Sequence, residues 1–264
     1  MRILVTGCAG FIGLHLTRRL LDDGHEVVGV DNFSSGRQEN VTPLRTQPRF
    51  YFVEHDIVNP LPVQGACERV YDLACPASPA DFVPRRLDIL ATCSRGVWVL
   101  ADFCRQHGAR LLHASTSEVY GDPLEHPQRE TYWGHVNPIG PRACYDEGKR
   151  FAEALLTSYR AQHGIEIRLP RIFNTYGPSM RRDDGRMLPT FISQALQSRP
   201  LTVHGDGGQT RSFCYVSDLV EGLESSRYRF ECVLATEFKR LGDWIMVNAR
   251  PEQTIHDQTL VSQS

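Results

Sequence analysis

The 264-residue chain lacks any apolar run approaching the roughly 18 to 20 residues of a membrane span. Met1-Arg2-Ile3-Leu4-Val5 enters a strand pattern at once, which leaves no room for a secretory signal and predicts a cytoplasmic protein without membrane contact. An excess of either charge is also missing. Lys and Arg number 29 against 31 Asp and Glu, a net charge of −2, so there is no electrostatic footprint for nucleic acid and small molecules are the expected partners. The eight cysteines (Cys8, Cys67, Cys75, Cys93, Cys104, Cys144, Cys214 and Cys232) contain no C-x-x-C pair. A disulfide framework and a structural zinc site both lack their spacing, and the thiols are read as reduced. His126, His135 and His204 likewise form no metal spacing, so no metal is expected. Repeats, linkers and low-complexity tracts are absent, and Arg227-Tyr228-Arg229 is too short to be more than solvated surface.

What is present is the composition of a globular chain: 41% hydrophobic residues and 21 glycines, together about half apolar. Short apolar runs at 2–6, 26–30, 50–53, 69–73, 110–114 and 165–169 read as strands, and 11–22, 87–107 and 143–162 as helices. This alternation predicts an α/β fold with a doubly wound parallel Rossmann sheet. Its strands are continuously apolar, as in Val27-Val28-Gly29-Val30, because both sheet faces are covered. From Pro178 the alternation gives way to Gly-rich sequence with a helix near 187–198. The expected organisation is a nucleotide-binding unit over 1–177 and a smaller, apparently incomplete C-terminal lobe over 178–264.

Gly7, Gly10 and Gly13 follow the first strand and open the first helix as G-x-x-G-x-x-G. In that setting Gly7 permits the tight turn, Gly10 lets backbone N–H groups approach a pyrophosphate, and Gly13 allows close helix–strand packing. Phe11 and Ile12 belong to the same turn. Asp31 ends the second strand, where a carboxylate can accept both hydroxyls of an adenosine ribose. Asn32 and Phe33 beside it carry no positive charge, so NAD is expected rather than NADP, with Arg37 the nearest cation that could admit a 2′-phosphate. Asp56 and Ile57, after the third strand, are candidates to flank the adenine, and an Asp there also reads as a plain cap.

Tyr145 and Lys149 form Y-x-x-x-K, an i,i+4 pair that shares one helical face. A lysine cation and a positive nicotinamide next to a phenol are expected to lower its pKa by roughly one to three units from about 10, making it a base at neutral pH. The strand at 110–114 runs into Ser115-Thr116-Ser117-Glu118, at the carboxyl end where open α/β sheets place ligands. A hydroxyl, a tyrosine and a lysine together make an alcohol–ketone proton relay. Cys144, next to the tyrosine, reads as a bystander thiol. Arg181-Arg182 suits a diphosphate clamp, and pairing with Asp183-Asp184 is the plainer alternative.

The stretches Asp31 to Arg37, Leu73 to Pro79, Ser115 to Asp122, Asn137 to Lys149, Arg171 to Gly177 and Gly205 to Leu219 resemble the extended short-chain dehydrogenase/reductases. Within them the chain is similar to the UDP-glucuronic acid decarboxylases, also called UDP-xylose synthases, over about residues 1–223. The resemblance implies NAD-dependent conversion of UDP-glucuronate to UDP-xylose through a 4-keto intermediate, with NAD held as a catalytic cofactor by the glycine turn, Asp31, Asn32, Asp56, Ile57 and Ala74. It also implies Thr116 as hydroxyl partner, Tyr145 as base, Lys149 as its activator and Glu118 as an acid/base or sugar-positioning carboxylate. Asn174, Arg182 and Arg211 would meet the nucleotide sugar. A homodimer is implied through the helices near 87–107 and 143–162, with Leu90, Val97, Leu100, Phe151 and Leu155 as a face.

Sugar-nucleotide dehydratases carry an Asp where this chain has Ser117, which cannot protonate a leaving hydroxyl, and epimerases typically lack the carboxylate of Glu118. Those classes, or an inactive binding relative, are the alternatives. The match ends near Leu223, and 224–264 departs from the family apart from a faint echo at Val247-Asn248 and Pro251 to Ile255. Asp88, Ile89 and Cys93 stand where the family usually has Lys, Thr and Asn, and Pro170 stands where it has Ala.

Overall fold

The computed structural model describes residues 1–225 apart from 204, 206, 209 and 210. The 224–264 tail (beyond its first two residues), His204, Cys232 and Arg227-Tyr228-Arg229 therefore lie outside the described residues.

The chain runs β1 (Arg2–Thr6), α1 (Phe11–Asp22), β2 (Glu26–Asp31), α2 (Gln38–Val41), β3 (Phe50–Glu54), β4 (Arg69–Asp72), α3 (Pro79–Phe82), α4 (Arg86–Ala91), α5 (Val97–His107) and β5 (Arg110–His113). It continues through β6 (Ser115–Thr116), α6 (Ala143–His163), β7 (Ile167–Arg168), β8 (Arg171–Ile172), β9 (Asn174–Tyr176), α7 (Met187–Leu196), β10 (Phe213–Tyr215) and α8 (Val216–Glu224). Six strands form one sheet in the order β3-β2-β1-β4-β5-β7, every pair parallel. The order reverses beside β1, which opens a crevice at the carboxyl ends of β1 and β4.

Residues of β1 alternate between two apolar layers, and this is why Ile3, Leu4 and Val5 are apolar without a break. Ile3 and Val5 pack with Leu14, Leu16 and Leu20 of α1 and Leu219, Val220 and Leu223 of α8. Leu4 packs with Val97, Leu100 and Ala101 of α5 and Ala152, Leu155 and Leu156 of α6. Each fully buried Leu, Ile or Val contributes about 1.5–3 kcal/mol, and these two layers fix the strand ends that carry the site.

The helix expected over 87–107 is interrupted by a π-type turn at Thr92–Gly96. Gly96 faces Ile57 there, where an added Cβ would come within 2.8 Å of the Ile57 Cδ1. The strand expected over 165–169 ends at Arg168, ahead of Pro170, which has no N–H to continue a ladder. The chain then leaves the large sheet: β8 pairs with β6 and β9 with β10, both parallel. Of the predicted dimer face, Val97, Leu100 and Leu155 are corrected to core positions, 1%, 0% and 9% exposed, because they point at the sheet. Leu90 and Phe151 do face outward, with Leu87 and Trp98. Among the described residues no helix is long and apolar enough to cross a membrane.

Candidate active site

The glycine turn leaves β1 and enters α1 with no room for side chains. Gly7 sits at φ +70°, donates its N–H to the Val30 carbonyl at 2.8 Å, and lies where a Cβ would come 2.6 Å from the Leu73 carbonyl oxygen and 2.8 Å from the Ala74 nitrogen. A Cβ on Gly13 would lie 2.1 Å from the Gly7 carbonyl oxygen. The first turn of α1 thus begins at the crevice with backbone N–H groups directed along its axis, a cradle for an anion. Asp31, 8% exposed, holds its carboxylate beside this turn by accepting from the Ala9 N–H at 2.9 Å and the Phe33 N–H at 2.8 Å. Two bonds leave further lone pairs for sugar hydroxyls. Burial raises its pKa, and the backbone donors of Phe33 and Ala9 oppose the rise.

Around this cradle the other predicted cofactor residues take different places. Phe11 and Ile12 are half-buried on α1, Ala74 lines the Gly7 turn, and Asn32 is exposed with its side chain accepting from the Ser34 N–H at 2.9 Å. Asp56 caps its own loop, accepting from the Val58 N–H at 3.1 Å, while Ile57 is 4% exposed in the core. The Arg37 guanidinium donates to the Ser179 carbonyl at 3.1 Å. Gly36 was not singled out by its sequence, yet a Cβ there would meet the Asp31 Oδ1 at 2.9 Å, so the 33–36 loop closes over the carboxylate.

Thr116 ends β6, its hydroxyl accepts from the Glu118 N–H at 3.2 Å, and it faces the Tyr145 phenol, whose pKa it lowers. Tyr145, one turn into α6, is 6% exposed and stacks on Phe82 with centroids 4.8 Å apart. Lys149, 3% exposed, donates to the Ala114 carbonyl at 2.7 Å. Residues from β6 and α6 are thus brought together as the sequence predicts. The expected fall in phenol pKa counts a bound nicotinamide as well as Lys149; in the chain by itself burial pushes Tyr145 up to about 12, against the opposing pull of Lys149. Desolvation of a phenolate outweighs one ammonium here.

Glu118 pairs with Arg142, whose guanidinium lies 5.4 Å from the Phe82 ring centroid. Behind Thr116, Ser115 donates to Glu153 at 2.5 Å, and Glu153 takes the Arg171 guanidinium on both oxygens, at 3.0 and 2.7 Å. Phe82, Arg142, Glu153 and Arg171 escaped the sequence reading, since nothing in spacing couples positions so far apart.

The predicted sugar contacts are less gathered. Asn174 on β9 donates to the Ser212 carbonyl at 3.2 Å, and Arg211 and Arg182 are exposed. Arg181 pairs with Asp183 at 3.2 Å and Asp81 at 2.9 Å, and Asp184 pairs with Arg186, so for Arg181 the plainer pairing holds. All seven described cysteines are free. Cys144 is buried with its thiol directed at the Phe82 carbonyl, and Cys75 and Cys93 approach to 3.5 Å. No group of three His, Cys, Asp or Glu among the described residues is arranged to hold a metal.

A parallel sheet of this order, with a glycine turn at its switch point, defines a Rossmann-type dinucleotide fold. The chain belongs to the NAD dependent epimerase/dehydratase family, whose model matches residues 3–224. It is 53% identical over 223 residues to UDP-glucuronic acid decarboxylase 1 of Arabidopsis thaliana, covering 84% of this chain and 51% of the relative. To UDP-glucuronic acid decarboxylase 1 of Xenopus tropicalis it is 54% identical over 222 residues, 84% of this chain and 52% of the relative. The chain spans about half the length of these curated relatives. Among solved structures it resembles UDP-glucuronic acid 4-epimerase from Bacillus cereus in complex with UDP-glucuronic acid and NAD, with a TM-score of 0.73 and 31% identity over 86% of this chain and 74% of that one.

Proposed function

We propose that the chain is an NAD-dependent UDP-glucuronate decarboxylase that forms UDP-xylose. The observation that carries the reading is the cluster of Thr116, Tyr145 and Lys149 at the carboxyl end of β5, in a chain 53% identical to proteins of that name. The cradle of Gly7, Gly10 and Gly13 and the carboxylate of Asp31 fit a dinucleotide, with Phe11, Ile12, Asn32 and Ala74 around it. When bound, NAD supplies an acceptor that takes a hydride from the sugar and later returns it.

The chain's own residues do the rest. Tyr145 takes the proton of the sugar 4-hydroxyl, Thr116 holds that oxygen, and Lys149 favours the phenolate. A ketone at C4 lies β to the C6 carboxylate, so carbon dioxide leaves with its electrons received by the ketone as an enolate. Protonation at C5 and reduction of the ketone then give the xylose product, with no net oxidation. Glu118, steered by Arg142, is placed to position the sugar or supply that proton. Asn174, Arg182 and Arg211, in the segment following Arg171, are assigned to the nucleotide sugar, with 178–264 as the substrate lobe. Ser117 in place of an acid disfavours dehydration, and the higher identity to decarboxylases than to the epimerase structure favours loss of carbon dioxide over inversion.

The reading includes a homodimer through the exposed Leu87, Leu90, Trp98 and Phe151, and a reducing cytoplasm, which suits the seven free thiols. Incubation with UDP-glucuronate and NAD, followed by proton NMR, tests it. UDP-xylose without accumulating NADH is expected. Tyr145→Phe should abolish turnover, and a variant as fast as the parent would refute the assignment. An intact chain that binds NAD but forms no product would favour the inactive relative.

A further inference from the structure

Behind the proposed catalytic pair lies a line of polar groups that the reaction described above does not use. Thr6, Asp72 and His113 are register partners at the carboxyl ends of β1, β4 and β5, at 0%, 1% and 1% exposure. Asp72 accepts from the Thr6 hydroxyl at 2.7 Å, from the Ala74 N–H at 3.3 Å and from the His113 Nδ1 at 2.6 Å. The opposite ring nitrogen, Nε2, faces the Lys149 Nζ at 3.5 Å, the outer limit of a hydrogen bond.

The protonation states follow from this geometry. Burial alone would raise the Asp72 pKa, but His113 and Lys149 beside it bring it below the ordinary value, so it is a carboxylate. Burial, with Lys149 adding to it, lowers His113, so the imidazole is neutral. A carboxylate can only accept, so Nδ1 carries the hydrogen and Nε2 presents its lone pair to the ammonium. A lysine this buried would tend to shed its proton. We propose that the Asp72–His113 pair is a positioning device for Lys149, holding its ammonium charged and aimed at the end of β5 beneath the Tyr145 phenol. The role rests on the decarboxylase reading, but the device itself is a property of the folded chain.

Groups facing Lys149 come from every element around it. These are Cys75 after β4, Cys93 in the π-type turn, Tyr145 on α6, Asp72 on β4 and His113 on β5. His113 faces Asp72, Lys149 and Glu153. Asp72 is the carboxylate among the groups facing Lys149, and it reaches the ammonium through His113. In Asp72→Asn the side-chain amide would donate to Nδ1, the ring would take its other tautomer, and Nε2–H would point at the ammonium.

The chain has only two lysines, Lys149 and Lys239. Full-length protein labelled with carbon-13 at lysine Cε, alongside Lys239→Arg for assignment, therefore reports Lys149 directly. In the parent, Lys149 should not titrate below about pH 10, near the ordinary lysine value. In Asp72→Asn and in His113→Leu its titration should fall by at least one pH unit. If the products form, kcat should drop about tenfold with KM unchanged and the acid limb moved up about one unit. Nitrogen-15 shifts of His113 in the parent need no variant and should show hydrogen on Nδ1 alone from pH 6 to 9. A charged ring, the other tautomer, or a Lys149 titration unmoved by both variants would overturn the proposal. The expected NMR behaviour in a chain that forms no UDP-xylose would instead count against the decarboxylase reading alone.

Discussion

Glu153→Gln is the substitution whose consequences the structure specifies most fully. Glu153 and Arg171 have side chains only 15% and 14% exposed, and the glutamate also receives the Ser115 hydroxyl. Losing the carboxylate leaves a guanidinium uncompensated in the interior, which costs about 3–5 kcal/mol. Arg171 keeps the Tyr120 hydroxyl at 2.9 Å, the Glu130 carbonyl at 3.1 Å and the face of the Tyr120 ring at 4.8 Å. The loss should therefore fall at the low end, about 3 kcal/mol, or about 6–12 °C in melting temperature for a chain of this size. Activity should fall as well, since Ser115 and Thr116 are all of β6 and their pairing to β8 consists of two register pairs. Differential scanning calorimetry measures the first effect and product formation the second. Replacing both partners, Glu153→Leu with Arg171→Met, removes the stranded charge and should recover most of the stability. A single variant melting within about 2 °C of the parent, or a double variant no more stable than the single, would refute the reasoning.

Gly13→Ala should weaken NAD binding about tenfold and lower the melting temperature, because a Cβ placed 2.1 Å from the Gly7 carbonyl costs about 1–3 kcal/mol of overpacking, more than the helix-propensity gain of about 1 kcal/mol. Titration calorimetry with NAD checks it, and parental affinity would count against the cradle. The Asp146 carboxyl is pushed up to about 6 by burial and then by Glu118, and its Oδ1 has no hydrogen-bond partner. Because the folded value is raised, stability is full below the unfolded value near 4 and declines as pH rises through about 6. Asp146→Asn should therefore gain on the order of 2 kcal/mol over the parent at pH 8 and almost nothing at pH 3, read from urea unfolding. An equal difference at both pH values would contradict the buried charge. Phe151→Glu, at a site 46% exposed, should give a monomer in light scattering where the parent is a dimer, with the same melting temperature at low concentration.

The sheet was legible because its inner strands carry unbroken apolar centres such as Ile3-Leu4-Val5 and its first turn carries glycines that the backbone uses as read. The pairing of Tyr145 with Lys149 was legible for a similar reason, since i,i+4 spacing is local. What the sequence hid depends on packing between distant elements. Periodicity continues through Thr92–Gly96, so the π-type turn leaves no trace in the pattern. Leu100 and Leu155 look alike whether they face the sheet or a second subunit. The burial of the Tyr145 ring under Phe82, 63 residues earlier, was hidden because it is set by the loop after β4. Asp72 and His113 were passed over as strand residues, and only strand register makes them neighbours.

The central claim is a decarboxylation that runs through a 4-ketone and closes without net oxidation. Turnover of UDP-glucuronate in deuterium oxide, read by proton NMR, tests it most directly. UDP-xylose with one deuterium beside the substrate's own hydrogen at C5 and protium retained at C4 is the predicted product, because C5 exchanges its carboxylate for a single proton from Tyr145, Glu118 or water while C4 never exchanges with solvent. A product with two protium atoms at C5, with deuterium at C4, or with its carboxylate intact would contradict the account.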